Sequence, residues 1–173
     1  MVWLGFELHP ETPRGGMPLS QIVPAARRSG MVEQMQRFAA SFGVTGMKFA
    51  ERIPNTRRVL AVAEFARENG RLEAFRTAAM EAWWRRGDDL ESDTVLQALA
   101  REAGLDDSAV ADAADDPRLL ARIDAIREDA NARGITGVPT FIVKDRWAVV
   151  GCQPYAVLAE VVARAGGVAK GAA

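Results

Sequence analysis

Gly134-Ile135-Thr136-Gly137-Val138-Pro139-Thr140-Phe141-Ile142-Val143 is the stretch on which the fold turns. A helical run stops at Gly134, a residue suited to the backbone geometry that ends helices. A short turn follows, and a Val-Pro-Thr step opens an apolar, β-branched run that reads as a strand. Downstream, Trp147-Ala148-Val149-Val150 is a second such run, separated from the first by Asp145-Arg146. The two read as a β-hairpin, although arginine is a poor choice where a primed turn needs φ > 0. Gly151-Cys152-Gln153-Pro154 then punctuates, and a last amphipathic helix carries Val157, Leu158, Val161 and Val162.

Working back toward the N-terminus, the chain from about Pro18 to Arg133 reads as mostly helical. Met31, Met35, Phe38 and Phe42 recur at spacings of four, three and four, which places them on one helix face closed by Gly43. Asn55-Thr56 can cap the next helix, whose apolar stripe is Val59, Val62, Ala63 and Ala66 with Phe65 beside it. Further helices are expected over about Leu72 to Arg86, from Ser92 or Asp93, near Asp107 to Ala113, and from Pro117 onward. The Met–Phe stripe and Trp83-Trp84 read as core, with Trp84, if exposed, as a wall of a hydrophobic groove. The first residues, Val2 to Leu8, form a strand-like run that ends at His9-Pro10-Glu11-Thr12-Pro13. The ends therefore supply three strands and the middle a helical body.

Composition narrows the function classes. Acidic and basic residues nearly cancel, 23 against 22, so no global field draws nucleic acid or a membrane surface. One cysteine and one histidine exclude a disulfide framework within the chain and a zinc constellation, so no metal is expected. No apolar run approaches the roughly 18 to 20 residues of a membrane span, and the opening residues lack a basic leader. A cytoplasmic protein is the expectation.

Taken together, Phe6-Glu7-Leu8-His9-Pro10, Pro54-Asn55-Thr56, the Gly134 to Phe141 block and Gly151-Cys152-Gln153-Pro154 resemble the DsbA family of thioredoxin-like proteins. Within it, they are most similar to the FrnE-like and 2-hydroxychromene-2-carboxylate isomerase-like members. The resemblance implies an α/β fold: a thioredoxin-like core with an all-helical insertion. Residues 1–14 and 134–165 would form the core, 15–133 the insertion and its connecting helices, and 166–173 a flexible tail. Family members carry a Cys-x-x-Cys on a helix after the first strand. Here Val2 to Leu8 matches the second strand, so the N-terminal βαβ unit is expected to be incomplete. A homodimer filling the missing central strand is one way to complete the sheet.

The activity implied is thiol–disulfide exchange on a protein thiol or disulfide, or on a small thiol, with dithiol exchange lost in this chain. The alternatives are a glutathione-linked isomerase or transferase of the kappa type, with glutathione as the cofactor-like thiol, and a non-enzymatic peptide-binding module. The resemblance also implies a cis Val138–Pro139 bond that leaves the Val138 backbone open to substrate. Val138, Pro139 and Thr140 are thus the implied substrate-binding residues, joined by Asn55 and His9. By the residues alone, Asn55 reads first as a helix cap and His9 as a locally bonded loop or strand-end residue. Cys152 would sit on the same hairpin end as Val138–Pro139. It reads as a small buried apolar residue by type, or as a catalytic monothiol by position.

Overall fold

The structure, a computed structural model, describes residues 1–167; residues 168–173 of the expected tail lie outside the described residues. The chain divides into two compact units, one over residues 1–126 and one from residue 127 onward. In the first, a two-residue strand β1 (Met17–Pro18) pairs antiparallel with β2 (Arg52–Ile53). Between these strands runs α1 (Ala25–Ala40). Then come α2 (Arg57–Glu68), α3 (Leu72–Glu81), α4 (Asp93–Glu102), α5 (Val110–Ala114) and α6 (Pro117–Ala132). The division between the units falls inside α6. The second unit holds the end of that helix, β3 (Thr140–Val143), β4 (Trp147–Val150) and α7 (Tyr155–Arg164).

The core of the first unit follows from helical spacing. Val59, Val62 and Ala66 fall on one face of α2 and meet Phe75 and Ala79 of α3, Leu96 and Leu99 of α4, and Val110 of α5. Phe75, Leu96 and Leu99 are essentially without solvent contact. Burying each such side chain contributes about 1.5–3 kcal/mol. The α3 helix is prolonged by a π-helical turn, Ala82–Arg86, that ends at Gly87. There φ is +76°, and the glycine N–H returns to the Ala82 carbonyl at 2.8 Å. Only glycine takes that conformation at no steric cost. Trp83 packs on the core, and Trp84 meets Phe49 edge to face with ring centres 5.9 Å apart.

Two carboxylates are buried in this unit, and arginines hold both. Glu64 of α2 is bonded by Arg67 Nε at 2.9 Å, and Arg122 of α6 approaches at 3.4 Å. Glu7 meets Arg57 at 3.3 Å, while the same guanidinium forks onto Asp124 at 2.9 and 2.7 Å. Burial of a charge is tolerated only with such partners.

Three sequence expectations are corrected. Val2 to Leu8 is not a strand: it forms no ladder with any strand among the described residues. Side chains anchor it instead. Arg67 donates to the Trp3 carbonyl, the Arg76 guanidinium lies 4.3 Å from the centre of the Trp3 ring, and Glu7 is gripped by Arg57. The alternation of the run was legible, but a strand also needs a neighbouring backbone.

The Met–Phe stripe is not core. No residue of α1 is buried, and Met35, Phe38 and Phe42 are 38%, 53% and 43% exposed. Periodicity identifies a helix face but not what covers it. Finally, the hairpin turn places φ > 0 at Lys144 and Asp145, one residue earlier than Asp145-Arg146. Arg146 is thereby relieved of the conformation it tolerates poorly.

Candidate functional site

The residues implied in substrate handling fall into one group in each unit. In the second unit, β3 and β4 pair antiparallel with Thr140 opposite Val150 and Val143 opposite Trp147. That register brings the start of β3 and the end of β4 to the same end of the hairpin. The Val138–Pro139 bond there is cis. The Gly151 N–H donates to the Pro139 carbonyl at 2.7 Å, one step beyond the ladder. Thr140 Oγ1 donates to the Gly137 carbonyl at 2.7 Å, closing the turn that delivers Val138. Val138 itself is 52% exposed.

Cys152 follows Gly151 and is exposed. The expectation of a small buried residue is therefore overturned. The reason is local: Gly151, at φ +84°, turns the chain out of the sheet before the cysteine. Gln153 then folds back, its Nε2 donating to the Val150 carbonyl at 3.0 Å, and Pro154 leads into α7. Thus Val138, Pro139, Thr140 and Cys152 share one hairpin end, with an accessible thiol beside an accessible backbone. Among the described residues, β3 has no strand on its side away from β4.

In the first unit, His9 and Asn55 belong to a different construction. Asn55 Oδ1 accepts the Arg57 N–H at 3.0 Å, capping the start of α2. Its Nδ2 donates to the Thr12 carbonyl at 2.7 Å, and its own N–H reaches Glu91 Oε1 at 2.9 Å. Both ends of this amide are committed to holding the loop 9–16 against α2. His9 Nδ1 lies 3.0 Å from Glu11 Oε1, and the His9 carbonyl accepts the Thr12 N–H at 3.1 Å. The Glu11 carboxylate is held below its usual range, chiefly by its backbone hydrogen bond and then by His9. Glu91, whose second oxygen takes the Gly15 N–H at 2.7 Å, completes this loop anchor. Nothing local in the sequence distinguishes Glu91 from other acidic loop residues; its role rests on Gly15 and Asn55, far along the chain.

Among the described residues, no group of three or more histidine, cysteine, aspartate or glutamate side chains is arranged to hold a metal ion. No described helix is long and apolar enough to cross a membrane.

Comparison with known proteins adds the family. The model of the DSBA-like thioredoxin domain matches residues 1–163. No curated protein matches the chain. Among solved structures, a probable DsbA oxidoreductase of Streptomyces coelicolor is similar at 25% identity with a TM-score of 0.80. The match covers 97% of this chain and 76% of that one. A candidate protein disulfide isomerase of Nitrosomonas europaea is similar at 16% identity and a TM-score of 0.66, covering 82% of this chain and 74% of that one. At that identity the second likeness speaks for the fold alone. The fold is thus thioredoxin-like, and the chain belongs to the DSBA-like thioredoxin domain family.

Proposed function

We propose that this chain is a DsbA-family domain that handles thiols and disulfides one sulfur at a time. It holds an extended peptide or a small thiol at the Val138–Pro139 end of the hairpin, and as this polypeptide it does not run a two-cysteine cycle. The observation that carries the reading is the exposed Cys152, placed one residue past the Gly151–Pro139 hydrogen bond. The similar Streptomyces coelicolor protein, described as a probable DsbA oxidoreductase, supports the thiol–disulfide class of this chemistry.

The step balances as follows. The Cys152 thiolate attacks one sulfur of a disulfide RS–SR′ and forms a Cys152–S–S–R bond. The original S–S bond breaks, and its electron pair leaves with R′S⁻, which takes a proton from water. In a dithiol enzyme a second cysteine of the same chain then displaces RS⁻. This sequence has one cysteine, so only an external thiol can attack the mixed disulfide and release Cys152. A cytoplasmic setting belongs to the same proposal, since a reducing compartment keeps a lone cysteine as the thiol.

Insulin reduction by dithiothreitol tests the absence of the dithiol cycle. The chain is expected to leave the rate of insulin precipitation unchanged. Clear acceleration overturns the reading. Tight glutathione binding that survives Cys152→Ser would instead favour the glutathione-linked isomerase alternative.

A further inference from the structure

The β3–β4 register decides which backbone groups of β3 are free. In an antiparallel pair, opposed residues alternate between those that exchange hydrogen bonds and those that do not. The Gly151 N–H donates to the Pro139 carbonyl, so these two form a bonded pair. Moving two residues along each strand, Phe141 with Val149 and then Val143 with Trp147 are bonded pairs as well. Thr140 and Ile142 fall between them, and their N–H and C=O groups point away from β4.

The hairpin itself cannot satisfy those groups. Among the described residues no strand pairs with β3 on that side, and neither Thr140 nor Ile142 makes a backbone hydrogen bond to another segment. Open strand edges are normally blunted by charges, prolines or bulges. β3 reads Thr-Phe-Ile-Val, with no charge or proline within it and an unbroken register, and Ile142 is 41% exposed.

What stands at one end of this edge names the occupant. Alternating free N–H and C=O groups are matched by another extended backbone, which adds as a strand. At the Thr140 end stand the exposed Val138 and the exposed Cys152, and the reaction partner of a thiol is a second sulfur. A cysteine-bearing extended polypeptide supplies both. A second copy of this chain does not. Two β3 strands joined across a two-fold axis run antiparallel, which sets the two Cys152 residues at opposite ends of the joint.

We propose that the open edge of β3 is the substrate platform of this domain. An extended polypeptide adds there as a third strand, pairs through its backbone with Thr140 and Ile142, and brings its cysteine to the Cys152 end. The platform presupposes the one-sulfur chemistry above and favours polypeptides over small thiols as its substrates.

Mixed disulfides with 2-mercaptoethanol test this on the full chain. One carries N-acetylcysteine amide, and the others carry a short, capped, threonine- and valine-rich peptide with its cysteine first or last. All react by the same step. The Cys152 thiolate attacks the cysteine sulfur and forms a new S–S bond. The old S–S bond breaks, and its electron pair leaves on 2-mercaptoethanol, which takes a proton from water. Mass spectrometry follows the adduct. One of the two peptides should react about tenfold faster than the amide, the net worth of a few backbone hydrogen bonds. N-methylation of alternate peptide N–H groups keeps the side chains and removes donors. One alternate set should reduce the peptide to the rate of the amide and the other should leave it fast, because only every second residue faces β3. Equal loss from both sets, or no advantage for either peptide, overturns the platform. Failure of every disulfide to label native Cys152 overturns the one-sulfur reading itself. A chain that sediments as a dimer until the peptide is added gives the edge to a second copy and also overturns the platform.

Discussion

The Gly151 N–H donates to the Pro139 carbonyl at 2.7 Å, so the residue before Cys152 is bonded to the residue after Val138. One hydrogen bond thereby fixes the open end of the β3–β4 hairpin and the direction in which the thiol leaves it. Gly151 makes this bond at φ +84°. A Cβ added there would meet only Gln153 Nε2, at an ordinary 3.7 Å, so the obstacle to substitution is the backbone and not space.

Gly151→Ala is therefore expected to destabilise the chain by about 1–2 kcal/mol, the cost of left-handed backbone for an L-residue. Urea denaturation read by circular dichroism gives the value. If the chain keeps its stability, the hairpin end is not held as described.

A second prediction concerns the buried Glu64. Arg67 supplies its two closest ion-pair contacts, 2.9 Å from Nε and 3.1 Å from the second guanidinium nitrogen, and also bonds the Trp3 carbonyl. Arg67→Ala is expected to cost about 3 kcal/mol, the usual penalty for breaking a buried ion pair from one side. Hydrogen exchange should rise over residues 2–8 first, because side chains and not a ladder hold that segment. Uniform exchange across the chain would contradict that anchoring.

The third prediction is a titration. The Glu68 carboxyl is held below its ordinary range, first by its hydrogen bond to Arg118 and then by the charges of Arg118 and Arg122. A carboxylate whose folded value is depressed stabilises the fold above its unfolded pKa, and loses that contribution as pH falls through the folded value. Arg118→Ala should move the Glu68 titration upward in a carbon-detected NMR series and shrink this contribution, so that its loss is complete at a higher pH. An unchanged Glu68 titration would contradict the assigned cause.

Much of the site was legible in the sequence because its signals are local. Gly134, Pro139 and Gly151 punctuate the chain, and the two β-branched runs between them fix the hairpin within a residue of its observed ends. The helices from Arg57 to Ala132 followed from capping residues and apolar spacing. What stayed illegible depends on neighbours far along the chain. Val2 to Leu8 has the alternation of a strand, but pairing is a relation between two segments, and here arginines of α2 and α3 hold it instead. The Met31–Phe42 stripe has the spacing of a core face, yet burial depends on what lies opposite. Cys152 belongs to a residue type that is usually buried, and a single glycine before it reverses that expectation. Asn55 was open between cap and ligand group; its amide is spent at both ends on the protein itself.

The most direct measurement of one-sulfur chemistry is mass spectrometry of the native chain after exposure to oxidised glutathione. The expected result is a single glutathione adduct on Cys152 that persists until an external thiol is added, then returns to the free thiol. The same treatment should leave Cys152→Ser unmodified. A native chain that takes up no glutathione, while the same chain in denaturant does, would contradict an accessible thiol acting at the hairpin end.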